Sequence, residues 1–272
     1  MIFKERIRSD ELHIFERLSI RTRLTEQDLQ LFSNLKKGYQ GERLFDTYLE
    51  RLRCDCLVLN DLVFKVNNKI CQIDSLIITV HSLLLFEIKN YEGDYYYKSE
   101  SDQLFKKPDY EITNPLNQLN RTATLFRQHI KNLGFSFPVT AFIVFVHPEF
   151  TMYQSLMDKP FIFPTQIKRF FSEHEFNCQP VSDQHKLFAE KLVNSQTTDS
   201  FVHYFPSYTF EELRKGITCK KCNSFMLTIK GRKCICKECG EEEIVASAIY
   251  RSIKEYLLLF PDRKLTTPAI AE

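Results

Sequence analysis

Two groups of residues in this 272-residue chain have the types and spacing to do chemistry. The first is Cys219-Lys-Lys-Cys222 and Cys236-Lys-Glu-Cys239, two C-x-x-C pairs separated by 13 residues. Each short knuckle can deliver two thiolates to one tetrahedral ion, which is the pattern of a structural Zn²⁺ ribbon. Gly240, directly after the second pair, suits a tight knuckle turn, and Met226 to Ile229 reads as a short strand between the pairs. Redox motifs or a disulfide staple would use the same residues, but no βαβ setting surrounds them and the chain reads as cytosolic. Cys234, two residues before Cys236, competes for the same role, and the two-plus-two knuckle favours Cys236.

The second group is Asp74, Glu87 and Lys89, three ionisable residues set in apolar runs. Alternation with period two puts Glu87 and Lys89 on one face of a strand. A two-residue turn at Val80-His81 sets Thr79 opposite Ser82, and the same register places Asp74 across from Glu87. Directly opposed residues have Cβ atoms about 4.5–5.5 Å apart. Two carboxylates that close in an apolar sheet repel each other unless a cation joins them, and a divalent metal with Lys89 alongside resolves the repulsion. The rival arrangement is a Glu87–Lys89 pair at a solvated strand end, which fits the flanking hydrophobics poorly.

These residues need elements to hold them. Cys56 to Phe64, Lys69 to Val80 and Ser82 to Asn90 read as three strands. Ile77, Ile78, Leu84, Leu85 and Phe86 put apolar side chains on both faces, so the strands are central. Glu11 to Leu35 has helical spacing through Leu12, Phe15, Leu18, Leu29, Phe32 and Leu35. Gly38-Tyr-Gln-Gly41-Glu42 then opens a helix to about Arg53, with Phe45, Leu49 and Leu52 on one face and Glu42 sharing it. A carboxylate on an apolar stripe needs a cation or metal, unless it sits solvated at a helix N-terminus. Asn114-Pro115-Leu-Asn-Gln118 is a capped helix start that ends at Gly134, with Leu119, Ala123, Phe126 and Ile130 as its stripe. Gln118 and Arg121 lie in its first turns. Pro138 to Val146 is a further buried strand, Phe161 to Thr165 leads into a short helix, and Asp183 to Asn194 is an amphipathic helix.

Composition narrows the classes. The net charge of +2 excludes a strongly basic coat protein, and seven glycines and ten prolines are too few for a low-complexity chain. No run of about 18 uncharged apolar residues predicts a membrane span. Met1-Ile2-Phe3-Lys4-Glu5-Arg6 meets charge too early for a secretory signal, so a cytoplasmic location is expected. Residues 211–272 carry 12 Lys+Arg and 9 Asp+Glu, and eight basic residues and no acidic one lie between Arg214 and Lys237. Part of that charge neutralises four thiolates around Zn²⁺; the rest reads either as a solvated, balanced surface or as a contact to nucleic-acid phosphates through Lys220, Lys221, Lys230, Arg232 and Lys233. The organisation expected is a helical segment at 1–35, a main α/β domain at 36–205, a ribbon at 211–244 and a helical tail at 245–272, with the boundary near Phe205-Pro206-Ser207.

Gly41-Glu42, Gln72-Ile-Asp74, Glu87-Ile-Lys89-Asn90-Tyr-Glu-Gly93 and Asn114-Pro-Leu-Asn-Gln118, in this order, resemble the nuclease-related domain (NERD) family. That family is related to the PD-(D/E)-x-K nucleases. The resemblance spans roughly residues 36–150, and its first motif has Ile73 where the superfamily has proline. It implies an α/β, restriction-endonuclease-like fold with a mixed central sheet flanked by helices, and a Mg²⁺- or Mn²⁺-dependent phosphodiesterase acting on nucleic acid, DNA first. Asp74, Glu87 and the Ile88 carbonyl would bind the metal, and Lys89 would orient or deprotonate the attacking water. Glu42 would support the metal shell or a second ion, and Gln118 would position phosphate or water. Residues 211–239 look like the zinc-ribbon tail of some such proteins, where a protein partner could dock, and 245–272 look like the opening helices of a helix-turn-helix.

Overall fold

The longest apolar runs become the buried strands of a central sheet. In chain order the elements are β1 (Ile2–Lys4), α1 (Asp10–Arg21), α2 (Glu26–Leu49), β2 (Leu57–Val66), β3 (Lys69–Ile78), β4 (Leu83–Lys89), β5 (Gly93–Lys98), β6 (Gln103–Lys106), β7 (Tyr110–Ile112), α3 (Pro115–Asn132), β8 (Val139–Phe145), β9 (Phe150–Tyr153), β10 (Phe161–Ile162), α4 (Ile167–Glu173), α5 (Asp183–Asn194), β11 (Leu227–Lys230), β12 (Lys233–Cys236), β13 (Glu242–Ile244) and α6 (Val245–Leu259). The computed structural model describes residues 1–155, 157–173, 180–197 and 206–267. Phe205, where the expected boundary starts, lies outside them, as do residues 268–272 of the tail.

The chain divides into two compact units, Met1–Ile7 with Lys36–Val202, and Arg8–Leu35 with His203–Glu272. The first is built on a six-stranded mixed sheet in the order β1-β2-β3-β4-β8-β10. The β2–β3 and β3–β4 pairs are antiparallel, while β1–β2, β4–β8 and β8–β10 are parallel. Both faces are covered, as a sheet with apolar residues on two sides requires. One core holds Leu57, Leu85, Ile143 and Phe145 with Leu119, Phe126 and Ile130 of α3 and Phe188 and Leu192 of α5. The other holds Val58, Ile77, Leu84, Phe86 and Val144 with Phe45 and Leu49 of α2 and Ile167 of α4. A second sheet, β7-β6-β5-β9, follows the end of β4.

Asn114 caps α3 as expected, its side chain accepting from the Leu116 N–H at 3.0 Å with Pro115 at the first helical position. One expectation is corrected. Gly38 and Gly41 do not open a helix; they lie inside α2, so Glu42 sits mid-helix, where no free N–H groups are available to solvate it. Gly41 is there for contact: a Cβ at that position would come within 2.5 Å of the Asn90 Cβ. Within the described residues the 245–272 segment forms α6, and Thr267 is again helical, while the rest of the expected second helix lies outside the described residues.

The second unit contains the three-stranded sheet β11-β12-β13 and a small core of Ile14, Leu18, Leu213 and Leu259. The buried Glu255 of α6 pairs there with Arg21 of α1. No helix among the described residues is long and apolar enough to cross a membrane.

Candidate acidic site and cysteine centre

The site begins where the central sheet forks. β3 pairs with β2 along its whole length, from Leu57–Ile78 to Val66–Lys69, but leaves β4 after the Ser75–Phe86 pair. Beyond that pair the Asp74 carboxylate takes over, Oδ2 accepting the Ile88 N–H at 2.8 Å. The two-face alternation also slips here. On β2, Leu57 and Leu59 face the same core as Leu62, Phe64 and Val66; on β3, Cys71 and Ile73 face the same core as Leu76 and Ile78. Asn60-Asp61 and Asp74-Ser75 fill the two slips, with Asp61 at φ 52°. Each strand therefore supplies two consecutive polar residues at one point in an apolar sheet.

Around the fork the residues converge. Lys89 Nζ donates to Glu87 Oε1 at 2.7 Å and to Gln118 Oε1 at 3.1 Å, which brings the first turn of α3 to the end of β4. Asp74 and Glu87 are buried, at 8% and 2% exposure. Glu42 reaches the fork from α2, where Arg6 Nη1 donates to its Oε2 at 3.1 Å. Asn90 fastens the helix to the strand end through Nδ2 to the Lys37 carbonyl at 2.7 Å. Ile88 takes part through its N–H. Arg121 makes no contact with the group among the described residues; its charge is felt at Cys71.

Three participants escape a reading of the sequence. Arg6, Asp46 and Asp61 form ion pairs beside Glu42, with Arg6 Nε on Asp46 Oδ2 at 3.0 Å and Arg6 Nη1 on Asp61. Asn60-Asp61 inside the apolar run of β2 is the same signal that marks Asp74. Nothing in the sequence ties Arg6 to either.

The electrostatics follow from burial. Burial pushes the Glu42 carboxyl up to about 8, with the charge of Asp74 adding to the shift and Arg6 opposing it. Glu87 is pushed up to about 7, by burial first and then by Asp74, against Lys89. Burial also raises Asp74, against the Ile88 N–H and Lys89, and it raises Asp61 against Arg6. Four carboxyl groups thus hold their protons more tightly than usual, chiefly because burial penalises the charged form, with Arg6 and Lys89 opposing the shift. Carboxylate oxygens are the hard donors that a divalent cation takes, and Asp74 and Glu87 are the acids of this group that could hold one.

In the second unit the cysteines meet as one group, the Sγ atoms of Cys219, Cys222, Cys236 and Cys239 all lying within 4.8 Å of one another. Among the described residues no set of acids draws its oxygens that close. The two knuckles are built alike. Asn223 and Gly240, each directly after the second cysteine, take φ 61° and 72° and donate their N–H groups to the carbonyls of Cys219 and Cys236, both at 3.0 Å. Four converging thiols on two such turns are compatible with a zinc ribbon and could bind that ion. Cys234 is buried on the same strand but is not one of the four. Lys220 and Lys233 are drawn into ion pairs with Glu241 at 2.9 Å and Glu242 at 2.7 Å, because the chain returns after the second knuckle. Lys221, Lys230 and Arg232 are exposed and carry no ion pair among the described residues.

Residues 37–146 match the model of the nuclease-related domain (NERD) family, and Glu42, Asp74, Glu87, Lys89 and Gln118 all fall within them. This stretch of the chain is thus similar to a nuclease-related domain. Among solved structures it is similar to protein VC1899 from Vibrio cholerae, at 8% identity and a TM-score of 0.27, over 65% of this chain. The alignment spans 42% of that protein's length. No curated protein matches the chain.

Proposed function

We propose that the protein is a metal-dependent nuclease that hydrolyses phosphodiester bonds of nucleic acid, DNA first, on a restriction-endonuclease-like fold. The observation that carries this is the convergence of Asp74, Glu87, Lys89 and Gln118 at the sheet fork, inside the residues that match the nuclease-related family. Mg²⁺ or Mn²⁺ bound there would supply Lewis-acid polarisation of the phosphate and stabilise charge on the leaving oxygen. Asp74 and Glu87 are the acidic ligands, with the backbone of Ile88 beside them. Asp74 is held in place by the Ile88 N–H. Lys89 is held between Glu87 and Gln118, where its ammonium can orient the attacking water or take its proton. Glu42 adds a further carboxylate from α2.

The cysteine centre is read as a Zn²⁺ ribbon whose exposed Lys221, Lys230 and Arg232 touch substrate phosphates. The Lys220 and Lys233 ion pairs leave room for the other use of a ribbon, docking of a protein partner. Purified protein tested with Mg²⁺ and Mn²⁺ on single-stranded, duplex and branched DNA and on RNA decides the matter. Cleavage that needs the metal and stops with Asp74→Asn supports the nuclease. Binding without turnover on every substrate points to a nuclease fold used as a binding module.

A further inference from the structure

Arg6 lies outside the residues that match the family, yet its side chain is 0% exposed and sits against the acids of the candidate site. The short strand β1 pairs in parallel with β2 and delivers it there. All five guanidinium N–H donors have acceptors. Nε donates to Asp46 Oδ2 at 3.0 Å, Nη2 to Asp46 Oδ1 at 3.1 Å and to Ser75 Oγ at 2.8 Å, and Nη1 to Glu42 Oε2 at 3.1 Å and to Asp61 Oδ1. Ser75 Oγ passes the chain on to Asn60 Oδ1 at 2.8 Å. Glu42 and Asp46 are one helical turn apart and so present their carboxylates to the same group. A planar fork with every donor engaged cannot turn, so whatever it holds is fixed. It holds Glu42 by one oxygen, Oε2, and leaves Oε1 unclaimed.

We propose that Arg6 is a positioning residue of the acidic site. It fixes the Glu42 carboxylate beside Asp74 while cancelling the charge of Asp46 and Asp61. Glu42 then supports the outer shell of the cation that Asp74 and Glu87 would hold, and no second ion is needed to neutralise the α2 side of the fork. The proposal rests on the reading of the fork as a divalent-metal site. Asp46 and Asp61, which no metal role requires, are explained as the anchors that orient the fork. The slip in β2 and β3 is explained as well, since it is what lets Asp61 and Ser75 reach the guanidinium from two strands, with Asn60 accepting from Ser75 behind them.

For loss of Arg6 alone, electrostatics and positioning predict opposite signs, and for a variant that keeps the net charge only positioning predicts weaker binding. Removing a buried cation makes an acidic site more negative and should tighten a divalent ion; losing the anchor of a ligand should weaken it. The pair Arg6→Gln/Asp46→Asn keeps net charge and shape and leaves no unpaired Asp46 in the interior, while Asp61 keeps the Ile7 N–H at 2.8 Å. The test is calorimetric titration of Mn²⁺ into the zinc-loaded full chain, with circular dichroism melts alongside. The parental protein should bind one Mn²⁺ beyond its zinc, and the paired variant should bind it about tenfold more weakly. Glu42→Gln should weaken it similarly, and adding the pair to Glu42→Gln should cost nothing more, because Arg6 acts through Glu42. Should the pair fail to fold, Arg6→Lys, which keeps the charge and loses the fork, is titrated instead and should also bind more weakly. Parental-strength Mn²⁺ binding in the folded variant would overturn the proposal and leave the site reading intact. No Mn²⁺ binding in the parental protein would overturn both.

Discussion

Asp74 and Ile88 are joined where backbone pairing should have continued, the carboxylate Oδ2 accepting the Ile88 N–H at 2.8 Å. The Thr79 N–H meets the Ser82 carbonyl at 3.0 Å, and the hydrogen-bonded pairs of β3 and β4 alternate from there. By that alternation the Ile88 N–H belongs to the Ile73 carbonyl, but β3 has turned away with β2. Asp74 thus closes the end of a ladder with its side chain. That contact orders one carboxylate oxygen and leaves the other, Oδ1, for chemistry.

Asp74→Asn tests the consequence. An amide oxygen can still accept from Ile88, so the fork should keep its shape, and a neutral side chain where burial penalises a carboxylate should leave the melting temperature equal or higher. Losing a ligand should cost at least the roughly 10–100-fold in metal affinity or activity that losing an outer partner does. A variant that melts normally and cleaves at the parental rate would remove Asp74 from the site.

Lys89→Met separates holding from turnover. The methionine keeps the side-chain length but donates nothing to Glu87 or Gln118. Cleavage should fall by about a hundredfold or more, as for other proton-transfer groups. Mn²⁺ affinity should hold or rise, since a cation has left the site. A fall in affinity that matches the fall in rate would make Lys89 a structural partner of Glu87 only.

The fork also shows what the sequence can and cannot reveal. The β3–β4 register was legible because a two-residue turn leaves one way to pair Thr79 with Ser82. The cap at Asn114 and the elements Lys69–Ile78 and Asp183–Asn194 follow from local chemistry and apolar spacing. The slip in β2 and β3 was not legible, since alternation counts through Asn60-Asp61 and Asp74-Ser75 as if the strands were regular. Arg6 was not legible either, because its partners lie 36 to 69 residues away on three other elements. At the second knuckle Gly240 announces a positive φ; at the first, Asn223 does the same work, and only the structure shows that it does.

The cysteine centre should hold one zinc per chain through Cys219, Cys222, Cys236 and Cys239. Elemental analysis of protein purified in metal-free buffer should show loss of that zinc in Cys236→Ser and its retention in Cys234→Ser. Zinc loss in the second variant alone would move the fourth ligand to Cys234.

A pH effect is expected from α3, the helix that carries Gln118. His129 stacks on Phe64 with ring centroids 4.3 Å apart and shares a 2.9 Å hydrogen bond with Ser195 Oγ, and burial lowers its pKa. The folded state therefore favours the neutral ring. The stability this gives is present above the unfolded value of about 6.5 and is lost as pH falls below it. Melting curves of the parental protein and His129→Gln should converge or cross between pH 7 and pH 5. A difference that stays constant over that range would show that His129 does not titrate there.

The ribbon offers the sharpest test of how substrate is held. Lys220 and Lys233 face Glu241 and Glu242, so much of their charge is already answered within the second unit. Lys221, Lys230 and Arg232 are exposed without ion pairs among the described residues, and phosphate contacts should fall to them. Removing one cation from a DNA phosphate reduces the dependence of log K on log salt by about one for duplex DNA, whatever the sequence bound. The triple change Lys221→Ala, Lys230→Ala and Arg232→Ala should therefore weaken DNA binding and flatten the salt slope by up to about three. Lys220→Ala with Lys233→Ala should change the slope by less than one. Equal slopes in the two variants would mean that the ion pairs open on binding, and an unchanged slope in both would assign the ribbon to a protein partner instead.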